Sequence, residues 1–107
     1  MISKIFGGNS EFKLKTQIEK MLRKNSDEYC RSLILAAMSC YEKSEGENFL
    51  HLLNQLSHLS RNNPLIAQAK MMGIDNPALR KKRMEYKLIS KIVSKLEKLA
   101  QIKEWGP

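Results

Sequence analysis

Four side chains in this 107-residue sequence offer a thiol or an imidazole: Cys30, Cys40, His51 and His58. They are the first candidates for nucleophilic chemistry or metal binding. Cys30 and Cys40 lie ten residues apart in a stretch with helical apolar spacing, so ~15 Å separates them along the axis. A disulfide requires Cα atoms within ~7 Å, and the two therefore do not pair inside that helix. Both sit among apolar neighbours, which predicts buried thiols in a reducing compartment. His51 and His58 are seven residues apart on the next helical stretch. An axial separation of ~10.5 Å is too large for one metal with bonds of ~2.0–2.1 Å. The helical wheel also turns both imidazoles away from Phe49, Leu53 and Leu56, so no Cys–His couple is expected. Glu42, Glu45 and Glu47 gather at a turn that reads as surface. Gly7-Gly8 lacks the Lys-Ser/Thr sequence and helix context of a phosphate-cradling loop. The expectation is a protein without catalytic machinery, metal or cofactor.

What the sequence does concentrate is positive charge. Lys and Arg number 19 against 11 Asp and Glu, giving a net +8 and a pI near 9.7. Nine of the cations and only three acids lie between Pro77 and Pro107. Placed around a helix at ~100° per residue, Leu88, Ile89, Ile92, Val93, Leu96, Leu99 and Ala100 share one arc, the expected core face. Arg80, Lys87, Lys91, Lys95 and Lys98 share a neighbouring arc, and Glu85, Glu97 and Glu104 fall outside it. Four consecutive cations, Arg80, Lys81, Lys82 and Arg83, also open this helix, where the backbone dipole favours negative charge. Lys81 and Lys82 point along the core-facing arc. Either the helix projects past its neighbours there, or the stems pack while the ammonium groups reach water.

A basic surface of this kind fits a negative partner. An acidic protein face ranks first and nucleic acid second. The row is mostly Lys, which holds phosphate with little specificity, and it lacks the interleaved aromatics of nucleic-acid readers. A bland alternative is a solvated face offset by Glu42, Glu45 and Glu47. A helix-turn-helix reading would use Arg80 and Arg83 at base edges. Membrane binding ranks low, because the apolar side of the helix is needed to complete a core. That side would also serve pairing with a second copy of the chain. Met71, Met72 and Met84 read as core filler or as an adaptable groove.

The elements that carry these residues are all helical. Residues 1–9 read as a loose arm and 10–107 as one domain, with a first helix from Ser10 whose apolar residues are Phe12, Leu14, Ile18, Met21 and Leu22. Asn25-Ser26-Asp27 breaks the pattern, with Ser26 or Asp27 suited to cap the second helix. That helix runs to about Ser44, is uncharged from Ser32 to Tyr41, and is expected at the centre of the bundle. A third helix carries Phe49, Leu52, Leu53, Leu56 and Leu59 to about Arg61. Asn63-Pro64 and Asn76-Pro77 each place a capping Asn before a Pro at the first helical position. They open a short helix to Met72, closed by Gly73, and a long one to about Glu104, beyond which Trp105 reads as a frayed end. No run alternates with period two. The sequence thus predicts an all-α, compact bundle of about five helices with a long basic C-terminal helix. No signal-peptide pattern or apolar run of ~20 residues is present, so the cytoplasm is the expected compartment. No motif identifies a family.

Overall fold

In a computed structural model of the chain, residues 2–25, 27–61 and 64–105 are described, with side chains from residue 10 onward except 64 and 65. Among the described residues five helices follow one another: α1 (Ile2–Arg23), α2 (Glu28–Glu42), α3 (Gly46–Arg61), α4 (Pro64–Met71) and α5 (Pro77–Ile102). No described residue lies in a strand. The first helix begins at Ile2 rather than Ser10, so the backbone of residues 2–9, expected as a loose arm, continues α1.

The boundaries follow local chemistry. Asp27 caps α2, its carboxylate accepting from the amides of Tyr29 and Cys30; Ser26, the other candidate cap, lies outside the described residues. Asn76 caps α5 by accepting from the Leu79 amide, and Pro77 follows at a position that needs no donor. Asn63, expected to cap α4, lies outside the described residues. Three helices close with the same turn. The amides of Glu45, Ile74 and Trp105 reach back to the carbonyls of Cys40, Ala69 and Ala100 at 2.8, 2.9 and 2.9 Å. The residue before each has positive φ: Ser44 at 57°, Gly73 at 68° and Glu104 at 60°. Glycine is the usual occupant of that position, and only one of the three is glycine.

Four helices share the core: Leu14, Ile18 and Leu22 of α1; Cys30, Ile34, Ala37 and Tyr41 of α2; Phe49, Leu53 and Leu56 of α3; and Ile89, Ile92, Val93, Leu96, Leu99 and Ala100 of α5. Their spacing is the helical i, i+3, i+4 row, and the face expected of α5 is the one buried. Short connections make the order up, down, up, down, with α4 inserted before the last helix and packed on α5.

Four expectations, among them the compactness of the bundle, are corrected. The central element is α5, which meets α1, α3 and α4, whereas α2 packs chiefly on α3. An uncharged stretch is not a buried one: α2 buries a single row, and Leu35 is 53% exposed. Phe12, counted with the core of α1, is 74% exposed, because the row that meets α5 runs through Leu14, Ile18 and Leu22. Trp105 is not frayed. The turn at Glu104 folds its indole onto Tyr41 and Phe49, with ring centroids 5.7 and 5.2 Å away. The molecule is elongated, 53 × 23 × 22 Å with a radius of gyration of 15.4 Å, against ~13 Å for a compact domain of this size.

Candidate functional site

The basic row of α5 lies along the seam with α1. Lys87, Lys91 and Lys98 are exposed, and Lys95 is half-buried with its ammonium donating to Gln17 Oε1 at 2.9 Å. None of the ion pairs among the described residues involves these four lysines. The acids that were expected to offset them are elsewhere. Glu42 pairs with Lys15 on α1, which Glu11 also holds at 3.2 Å, and these carboxylates raise the Lys15 pKa. Glu45 and Glu47 line a shallow dent with Gly46 and Asn48 at the α2–α3 turn. Partly satisfied and partly bare, the row spans ~27 Å from Arg80 to Lys98 at ~1.5 Å per residue.

The surface belongs to two helices, not one. Lys13 and Gln17 of α1 line a hollow of about 580 Å³ with Lys95 and Lys98. At the other end, Lys24 lines a hollow of about 570 Å³ with Lys81, Lys87 and Lys91, over Met84 and Leu88. The sequence reading missed Lys13 and Lys24. The signal was present: Lys13, Gln17, Lys20 and Lys24 recur at the i, i+4, i+7, i+11 spacing of one helix face.

Arg80, Lys81, Lys82 and Arg83 spread around the helix rather than acting as one patch. The buried row of α5 begins only at Ile89, so this segment projects past the four-helix core and Lys81 and Lys82 are exposed. Arg80 makes a two-pronged contact with Asp75, both N–O distances being 3.1 Å. Those hydrogen bonds hold the Asp75 carboxyl below the ordinary carboxylate range. The carboxylate beside the N-terminus of α5 also offsets part of the unfavourable dipole placement. Arg83 is half-buried beside Arg61, Ile66 and Tyr86. In a helix-turn-helix reading these are the side chains that would have to reach bases, and Arg80 is held by Asp75.

The thiol and imidazole groups lie on α2 and α3. Cys30 is buried, and burial, with the Asp27 carboxylate adding to it, pushes its pKa up to about 11. Cys40, expected to face inward, is half-buried. His51 is exposed and shares a 3.3 Å hydrogen bond with the Gln55 side-chain nitrogen, and His58 is exposed on the same helix. Among the described residues no three His, Cys, Asp or Glu side chains gather as a metal site, and no helix is long and apolar enough to cross a membrane. Compared with protein-family models, curated proteins and solved structures, the chain matches none.

Proposed function

We propose that this chain is a non-enzymatic helical interaction module of the cytoplasm that docks an acidic protein surface through the α1–α5 seam. The observation that supports the reading is the row of exposed lysines, Lys87, Lys91 and Lys98, with no salt-bridge partner among the described residues. Lys13 and Lys24 on α1 and Lys81 on α5 extend it. Like charges held side by side raise the energy of the free protein, and a negative partner relieves that cost on binding. The apolar row of α5 from Ile89 to Ala100 is filled within the chain, and the lysines beside it face outward.

Nucleic acid is the second reading, since the same lysines would meet phosphates. Anisotropy of labelled duplex and single-stranded DNA and RNA, and of an acidic polypeptide, titrated with salt, separates the two. Docking of protein predicts binding of the polypeptide that is lost when Lys87, Lys91, Lys95 and Lys98 are replaced by Ala. Tighter binding of DNA or RNA, with a log–log salt slope near −0.9 per neutralised phosphate on a duplex, would transfer the function to nucleic acid.

A further inference from the structure

The hollow at the α4 end of the seam differs from the rest of the basic surface in having an apolar floor. Met84 is 71% exposed in mid-helix, and Leu88 beside it is half-buried against the core. Lys24, Lys81, Lys87 and Lys91 stand around them. An exposed methionine within a ring of lysines is a local cost in water, and it is the arrangement that receives an apolar side chain flanked by carboxylates.

We propose that this hollow seats an acidic amphipathic helix of a partner protein, which rests an apolar side chain on Met84 and Leu88 and sets carboxylates against the four lysines. The inference rests on the docking reading above and adds the place and the chemistry of the partner. Charge complementarity commits the occupant to acidic side chains. The run from Lys81 to Lys91 covers ~15 Å, the length of about ten helical residues. A second copy of the chain would bring another net +8 against the patch. A phosphate backbone has no apolar group for Met84. No aromatic ring lines it for base stacking.

Three labelled peptides of about 15 residues test this against the full chain by anisotropy in about 0.15 M salt. One is a Glu/Ala/Leu helix with leucines at i, i+4 and i+7, the second its scramble, the third the same helix with Gln for Glu. The first should bind about tenfold more tightly than either of the others, and Met84→Gln should bring it down to the scramble. Methyl spectra of methionine-labelled protein should show Met84 shifting while Met71 and Met72 stay in place. Equal binding of helix and scramble would overturn this inference and leave docking by charge standing. No binding of any peptide would remove both. Tighter, Met84-dependent binding to phosphatidylcholine–phosphatidylserine vesicles, or to a duplex DNA, would assign the hollow to a lipid or nucleic-acid ligand and overturn it as well.

Discussion

Burial pushes the Cys30 thiol from an ordinary value of 9.0 to about 11, with Asp27 and Glu85 contributing in the same sense and Lys82 opposing them. The folded state therefore favours the protonated thiol. Its contribution to stability is complete below pH 9.0 and is lost as pH rises towards about 11, because the unfolded chain releases that proton first. Denaturant midpoints measured across this interval should fall with pH, and more shallowly in Cys30→Ala. Reactivity follows the same physics. At pH near 8, iodoacetamide should label half-buried Cys40 well before Cys30, and mass spectrometry of a timed digest would show the order. Equal labelling rates in the folded protein would contradict the buried placement of Cys30.

The two ends of α5 are held by different means. At its start the helix has left the four-helix core, and Asn76, Pro77 and the Asp75–Arg80 contact hold it. Asn76→Ala should cost about 1 kcal/mol of local helix stability. Amide exchange should then quicken around residues 79–83 with little change in the global Tm, since core burial on α5 begins at Ile89. The other end is tied to the core by Trp105. A Cβ on Gly46 would stand 3.0 Å from the indole Cε2 and Nε1, so a side chain at residue 46 requires the ring to give way by a few tenths of an ångström. Gly46→Ala should displace the indole and destabilise the protein by about 1–3 kcal/mol. As the chain has one tryptophan, its fluorescence should shift to the red before unfolding. An unchanged emission maximum with an unchanged Tm would show that the ring adjusts without loss.

Across the whole molecule, the basic seam sets the response to salt. At low ionic strength the Debye length is ~30 Å, longer than the lysine row, and at ~0.15 M it is ~8 Å. Added salt should therefore raise the Tm of the wild-type chain by screening repulsion along the seam. The increase should shrink when Lys87, Lys91, Lys95 and Lys98 are all replaced by Ala. Helix content by circular dichroism and cooperative unfolding should survive that replacement, because three of the four are exposed and the fourth donates one hydrogen bond to Gln17. Loss of cooperativity would mean that the row is part of the packing. The elongated shape, 53 Å in its longest dimension, presents both lysine hollows along one side of α5.

Local rules in the sequence determined the helical class, a cap at Ser26 or Asp27, the cap at Asn76, the turn at Gly73 and the buried face of α5. Each depends on residues within a turn or two of one another, so periodicity and capping chemistry suffice to read them. The basic row was legible for the same reason. Which helix is central was decided by tertiary packing, since α2 is uncharged from Ser32 to Tyr41 yet packs chiefly on α3, and nothing in its own residues states what lies beside it. The return of Trp105 to the core turns on positive φ at Glu104, a residue type that does not signal it. The contribution of Lys13 and Lys24 to the lysine surface, and the seating of Met84 and Leu88 beneath it, join residues some 60 to 80 positions apart. Such a meeting is set by how α1 lies against α5, and a sequence read one helix at a time carries no measure of that.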